Sequence, residues 1–326
     1  MGKRFFLRCF FNNGSFALAW KIGDVQGAPL LVWDSGVSSD LPLFQIREAC
    51  VSLLSKNPKY IGFREMNAET QTYALEARNI YQSYQTSAGM RVNALQSVSF
   101  GVYPGEFVSI IGPSGAGKST LLGLLAGLES QTSGEIFLQN RQVSARQRLG
   151  NVGYMPQKDA LAPWRTAIDN AIAGLEVQGT PRKEAKTQAM ELFRRMGLED
   201  FARTYPYALS GGMRQRVALA RSALAAGDLL LLDEPFGALD ALTRSDMHKW
   251  ILEVWQSMRK TILLVTHDIQ EALVVSDRIL VMSARPGTMN AELQVDLPRP
   301  RTIEIQSGRA FNAMREQLAK KLETTV

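Results

Sequence analysis

Residues Gly112-Pro113-Ser114-Gly115-Ala116-Gly117-Lys118-Ser119-Thr120 follow the pattern G-x-x-x-x-G-K-[ST], and no other stretch limits the possible folds of this chain so strongly. The apolar run Phe107-Val108-Ser109-Ile110-Ile111 just before it reads as a buried strand. Leu121, Leu122, Leu124 and Leu125 just after it read as the apolar face of a helix. A strand, a tight loop and a helix start together make a phosphate cradle. Glycines let the backbone wrap an anion with successive N–H groups pointing inward, and the helix start adds partial positive charge. Lys118 can then reach the outer phosphates of a nucleotide, and the Ser119 hydroxyl can ligate Mg²⁺. Such a loop alone leaves kinases, GTPases and ATPases open.

The chain has 326 residues, room for one large domain or two modest ones, and its 45% hydrophobic content supports a substantial core. No apolar run approaches the roughly 20 residues needed to cross a bilayer, so work at a membrane would need another chain to span it. Cys9 and Cys50 are the two cysteines, too few for a disulfide framework and consistent with free thiols in a reducing compartment. The start, Lys3-Arg4-Phe5-Phe6-Leu7-Arg8, has a faint signal-peptide character, but Arg8 interrupts the apolar stretch and secretion is not expected. The net charge of +6 is compatible with an anionic membrane surface. No basic stripe with interleaved aromatics is visible, so no nucleic-acid partner is expected.

Residues 1–70 read as an N-terminal extension without a chemical motif. Asn12-Asn13-Gly14 between apolar stretches suggests a hairpin turn, and Ile46, Ala49, Cys50, Leu53 and Leu54 recur at helical spacing. The segment is either a small accessory unit or sequence upstream of a natural start at Met66. Beyond residue 75, strand-like runs at Val98–Val102, Phe107–Ile111, Leu229–Leu232, Thr261–Val265 and Arg278–Met282 alternate with helical patterns, which predicts a parallel sheet covered by helices. Residues 160–225 are mostly helical and read as an insertion. Pro298 and Pro300 interrupt the end of the chain, and Phe311, Met314, Leu318 and Leu322 mark one face of a last helix, expected to pack on the core.

Two further stretches carry chemistry. Leu229-Leu230-Leu231-Leu232-Asp233-Glu234 is an apolar strand ending in two acids, and strand C-termini face the ligand crevice of an open α/β sheet. Asp233 is expected to hold Mg²⁺, and Glu234 to sit near an attacking water. In Leu209-Ser210-Gly211-Gly212-Met213-Arg214-Gln215-Arg216, Ser210 is a favourable N-cap, and the two glycines leave bare N–H groups that make a second anion site.

Taken together, GPSGAGKST, LSGGMRQR and LLLLDEPFGALD resemble the Walker A, signature, and Walker B and D-loop motifs of ATP-binding cassette (ABC) ATPases, with the resemblance covering about residues 77 to 300. It implies an α/β P-loop NTPase fold with a mainly parallel sheet, an antiparallel β edge and an inserted helical subdomain. The cassette would occupy about 75–300, followed by a short helical tail at 301–326. It implies ATP and Mg²⁺ as ligands. By match to the family motifs, Gln157 is the Q-loop glutamine, a sensor of Mg²⁺ linked to the transmembrane partner. His267 is the switch histidine at the γ-phosphate, Asp240 the D-loop aspartate, and Tyr84 the aromatic that stacks on adenine, with Tyr81 close by. His248 matches nothing and is expected on a helix surface.

The phosphate loop already wraps one nucleotide, so the second anion-binding helix start at Ser210–Gly212 serves a nucleotide on another cassette. This implies a head-to-tail dimer, a homodimer or a pair with a relative. Ala160-Leu161-Ala162-Pro163-Trp164-Arg165-Thr166, Met282-Ser283-Ala284-Arg285-Pro286-Gly287 and Asp296-Leu297-Pro298-Arg299-Pro300-Arg301 resemble the importers of nitrate, sulfonates and taurine. The resemblance therefore implies an ATP-hydrolysing importer subunit on the cytoplasmic face of a membrane, bound to permease subunits and coupled indirectly to a solute-binding protein. The alternative is a soluble ATP-driven switch that remodels a protein or nucleic-acid complex. A non-transporting regulatory cassette is disfavoured by the intact Lys118, Glu234 and His267.

Overall fold

The computed structural model describes residues 5–12, 15–22, 72–87, 89–237 and 239–323. The chain divides into two compact units, Met1–Glu69 and Thr70–Val326. In the first, β1 (Phe5–Asn12) and β2 (Ser15–Ile22) pair antiparallel, with Phe5 opposite Ile22 and Asn12 opposite Ser15. Residues 13 and 14 of the turn expected at Asn12-Asn13-Gly14 lie outside the described residues. The helix expected over residues 46–54, Cys50 and Met66 lie outside the described residues.

In the second unit, β3 (Leu75–Gln85) and β4 (Arg91–Val102) precede β5 (Phe107–Ile111), which leads through the phosphate loop into α1 (Lys118–Ala126). There follow β6 (Ser133–Leu138), β7 (Arg141–Gln142), α2 (Ala145–Arg148) and β8 (Gly153–Met155). Four helices come next: α3 (Ala167–Ala171), α4 (Ala173–Val177), α5 (Arg182–Arg195) and α6 (Gly211–Ala225). The chain returns through β9 (Leu229–Asp233), α7 (Ala241–Met258), β10 (Thr261–Thr266), α8 (Ile269–Val275), β11 (Arg278–Met282) and β12 (Met289–Gln294). It ends in α9 (Ile303–Gln306) and α10 (Arg309–Glu323).

Six strands form one sheet in the order β12-β11-β5-β10-β9-β8, in which β12 is antiparallel to β11 and the remaining neighbours run parallel. The antiparallel character expected at an edge is larger than a single strand, because β4-β3-β6-β7 make a separate four-stranded antiparallel sheet.

The parallel strands read as unbroken apolar runs because both of their faces are covered. Side chains alternate across a strand, and this sorts each run between two cores. Leu230, Leu232, Ile262, Leu264, Ile279 and Val281 join Phe107 and Ile111 in the core formed with the helices of residues 167–225, α7 and α8. Leu229, Leu231, Leu263, Val265, Leu280 and Met282 join Val108 and Ile110 in the core beneath α1 and the antiparallel sheet, with Leu121, Leu122, Leu75 and Ile80.

The proline-broken segment is a fastening. Arg301 is buried, and its guanidinium donates to the carbonyls of Leu273 at 2.7 Å and Ser276 at 2.5 Å, closing the end of α8. The Arg299 guanidinium lies 4.5 Å from the Trp255 ring centroid and donates to Asp277 Oδ1 at 2.8 Å. Phe311 and Leu318 of α10 enter the first core, with Met314 and Leu322 packed against it. His248 departs from expectation. Its ring meets Phe236 edge-on with centroids 4.5 Å apart, and burial, then the Arg244 charge, push its pKa down to about 4. It is a neutral packing residue rather than a surface one. Among the described residues no helix is long and apolar enough to cross a membrane.

Candidate active site

The C-terminal ends of β5, β10, β9 and β8, which are neighbours in the sheet, deliver the candidate residues to one crevice. Thr266 stands opposite Ile111, Asp233 opposite Val265, and Met155 opposite Leu232. The loops leaving these ends therefore carry Lys118, His267, Glu234 and Gln157 to a common edge, the position where open α/β sheets bind ligands.

The phosphate loop needs its glycines for two reasons. Gly117 is the residue before α1, with φ of 92° and no side chain capping the helix, so its N–H groups are left for an anion. A Cβ at Gly117 would also lie 2.8 Å from Leu95 Cδ2 and 2.9 Å from the Ala94 carbonyl oxygen, and one at Gly112 would lie 2.7 Å from the Met282 carbonyl oxygen. The loop is therefore pressed between β4 and β11. Gly115 has φ of 80°, while Ala116 is buried and its N–H donates to the Pro113 carbonyl at 3.2 Å. Pro113, Ser114 and Thr120 complete the loop. Lys118 is buried, and its ammonium donates to the carbonyls of Gly112 and Pro113 at 2.9 Å each. Burial lowers the Lys118 pKa, and the charges of Glu234 and Asp233 oppose that shift. A desolvated ammonium held by two neutral carbonyls is ready to exchange them for phosphate oxygens.

The Ser119 hydroxyl donates to Asp233 Oδ1 at 3.0 Å. Burial raises the Asp233 pKa, with Glu234 adding to the shift and the Ser119 hydroxyl and Lys118 opposing it. Gln157 Nε2 donates to Glu234 Oε2 at 3.1 Å, and His267 Nδ1 lies 3.4 Å from the same oxygen. Glu234 has φ of 45°, a left-handed conformation that a non-glycine residue adopts at a cost, and its N–H donates to the Val265 carbonyl at 2.9 Å. Lys118, Ser119, Asp233, Glu234, Gln157 and His267 thus converge. They combine a cation and N–H groups for phosphates, hard oxygen donors, and a carboxylate able to accept a proton.

The remaining candidates have partners of their own. Tyr84 shares the side of β3 that carries buried Ile80 and Gln82. Its hydroxyl donates to Glu129 Oε2 at 2.7 Å. Tyr81, three residues earlier, falls on the opposite side by strand alternation. Ser210 caps α6, its hydroxyl oxygen accepting the Met213 N–H at 3.2 Å. Gly211 and Gly212 form the first turn, and a Cβ on Gly212 would lie 2.4 Å from Thr243 Cγ2. Asp240 accepts from the Thr243 N–H at 3.1 Å and from its hydroxyl at 2.7 Å, just before α7. Arginines of α6 fasten the loop after Gln157: Arg214 Nε donates to Asp159 Oδ2 at 2.9 Å, and Arg221 to the carbonyls of Asp159 and Ala160.

Tyr154 is a participant that the motifs leave without a role. Burial, then the Asp233 charge, push the pKa of its hydroxyl up to about 12, which keeps the phenol protonated near that carboxylate. The available signal was a polar-tipped aromatic in a short strand, too common a pattern to single out.

Comparison with known proteins follows the same residues. The ABC transporter family model matches residues 95–237. The chain is 42% identical over 243 residues to the taurine import ATP-binding protein of Rhizobium johnstonii, an alignment covering 73% of this chain and 92% of that one. It is 38% identical over 252 residues to an aliphatic sulfonates import ATP-binding protein of Bacillus cereus, covering 77% and 96%. Among solved structures, the dimeric post-hydrolysis state of an ATP-binding cassette bound to ADP and Pi aligns with a TM-score of 0.61 and 30% identity, covering 68% of this chain and 98% of that one. With the phosphate loop, the acidic strand end and the serine-capped helix all inside the matched span, this chain belongs to the ATP-binding proteins of the ABC transporter family.

Proposed function

We propose that this chain hydrolyses ATP to drive an importer of a small anion, of the taurine, sulfonate or nitrate kind, from the cytoplasmic face of a membrane. The observation that carries the hydrolytic part is the meeting of Glu234 with Gln157 and His267 beside buried Lys118 and Asp233. The importer part rests on the relatives named for taurine and sulfonate import.

In this reading Lys118 and the amides of the phosphate loop hold the phosphates, and Tyr84 stacks on the adenine. Glu234 takes the proton of the attacking water, and His267 orients the γ-phosphate. Catalysis is then mostly positioning and charge stabilisation. Among the described residues no group of three or more His, Cys, Asp or Glu side chains is arranged to hold a metal. A divalent ion would therefore draw on Ser119, Asp233, Gln157 and the nucleotide itself, a sparse oxygen set that suits Mg²⁺. When bound, Mg²⁺ supplies neutralisation of charge on the phosphate oxygens.

Ser210, Gly211 and Gly212 serve the nucleotide of a second copy in a head-to-tail homodimer, with Asp240 at the junction. Residues 75–300 act as the cassette, 160–225 as its helical subdomain and 301–326 as a tail. A mostly apolar cavity of about 250 Å³, lined in part by Val152, Tyr154, Val177 and Ala225, opens between β8, α4 and α6. With Val177 88% exposed, it offers a seat for an apolar element of a permease beside Arg221, which holds the Asp159 and Ala160 carbonyls of the loop after Gln157. The permease and its solute-binding protein, rather than this chain, select the cargo.

The test is recovery of tagged protein from detergent-solubilised membranes, with co-purifying chains identified by mass spectrometry. A multi-helix permease in the eluate is the expected result. Absence from the membrane fraction, with soluble partners alone, would favour the remodelling switch.

A further inference from the structure

His267 sits in a turn that is tied at both ends. The Thr266 hydroxyl accepts the Asp268 N–H at 3.1 Å and donates to Glu271 Oε2 at 2.6 Å. Glu271 is buried in the first turn of α8, although that helix start is already served by Asp268, whose Oδ1 accepts the N–H groups of Gln270 and Glu271 at 2.7 and 3.2 Å. Glu271 is therefore not needed as a cap. Its other oxygen, Oε1, faces Arg244 Nε at 3.5 Å, and Arg244 Nη1 lies 3.9 Å from Asp268 Oδ2. The Arg244 Nε is buried and makes no hydrogen bond, so the contact to Glu271 is an ion pair with slack in it.

The far side of the same arginine holds a different loop. Its Nη2 donates to the Leu239 carbonyl at 3.1 Å, and its N–H donates to the Asp240 carbonyl at 2.9 Å. One guanidinium thus bridges the Leu239-Asp240 loop and the turn that carries His267. A buried carboxylate is costly unless it is paired. The partners of Glu271, Thr266 and Arg244, are arranged so that its pairing fixes the turn.

We propose that Arg244 and Glu271 are positioning residues for hydrolysis. Glu271, through Thr266, sets the turn that aims His267, and Arg244 makes that setting depend on the Leu239-Asp240 loop. The proposal rests on the reading of His267 as the group that orients the γ-phosphate. It adds a route by which a displacement of Leu239-Asp240 changes the angle of His267 without touching the nucleotide.

The test is a kinetic cycle on the full-length protein, with ATP titrations for Arg244→Ala, Glu271→Gln, His267→Ala and the doubles Arg244→Ala/His267→Ala and Glu271→Gln/His267→Ala. The Arg244 side chain is 36% exposed, whereas Glu271 is buried, so the Arg244 variant keeps the test independent of whether Glu271→Gln folds. Each of Arg244→Ala and Glu271→Gln is expected to lower kcat about tenfold with KM for ATP changed by about twofold or less. Arg244→Lys, which keeps the charge, is expected to recover part of kcat. In the His267→Ala background the same changes should cost about twofold or less, because they act through a side chain already removed. A full tenfold penalty persisting in a defective His267→Ala background, a KM rising in step with the loss, or kcat near the parent's would each overturn the proposal. A parent-like His267→Ala would overturn the reading of His267 itself, and the proposal with it.

Discussion

Glu234→Gln is the substitution whose effect the geometry constrains most tightly. Oε2 of Glu234 accepts from Gln157 Nε2 at 3.1 Å and faces His267 Nδ1 at 3.4 Å. An amide oxygen can accept both contacts, and the side chain keeps its size, so the left-handed backbone at φ of 45° is undisturbed. What is lost is proton affinity and one negative charge. A positioned general base contributes about 10²–10⁴-fold, or about 3–6 kcal/mol of barrier at about 1.4 kcal/mol per decade. The expected kcat is lower by that factor. ATP affinity is expected to hold or tighten, because Lys118 loses a carboxylate competing with phosphate. Steady-state phosphate release over an ATP titration measures kcat and KM. Size-exclusion chromatography with ATP reports whether the variant accumulates as a dimer. Hydrolysis within about threefold of the parent would refute the general-base role, and a matching rise in KM would assign the loss to binding instead.

Arg301→Met should destabilise the protein without touching the crevice. It removes the donors to the Leu273 and Ser276 carbonyls, at a cost of about 3 kcal/mol, or a fall in Tm of about 6–12 °C by calorimetry; a fall under about 2 °C would contradict the fastening role. Asp233 moves stability the other way. Burial holds its folded pKa above the unfolded value, so the charged form is penalised above the folded pKa, and the penalty is relieved as pH falls through it. Asp233→Asn should therefore raise the Tm of the nucleotide-free protein at neutral pH, by less as pH falls through the raised Asp233 pKa, while lowering ATP turnover. A lower Tm at neutral pH would show that the carboxylate is a net stabiliser.

The local pieces of this protein were legible because each is made by residues close in sequence. The phosphate loop, the Ser210 cap on a helix ending at Ala225, and the strand ending in Asp233 depend on glycine conformations, capping and short apolar runs. The same applies to the strands Phe107–Ile111, Thr261–Thr266 and Arg278–Met282. β3 and β6 went unmarked because one face of each is solvated and their pairing is long-range, so no apolar run announces them. Residues 46–54 lie outside what the structure describes, and the helix expected there stays an expectation.

Tertiary structure alone decided which side chains meet. Strand order put β5 between β11 and β10 and β9 beside β10, which brought Gln157, Glu234 and His267 within 3.4 Å contacts although they are far apart in sequence. It also packed His248 against Phe236, set Tyr154 near the Asp233 charge, and set Arg244 between two loops. A helix or strand pattern reports which face is apolar, because that is fixed by local periodicity. It carries no information on which polar atom lies opposite, because that depends on the order and register in which distant strands pair.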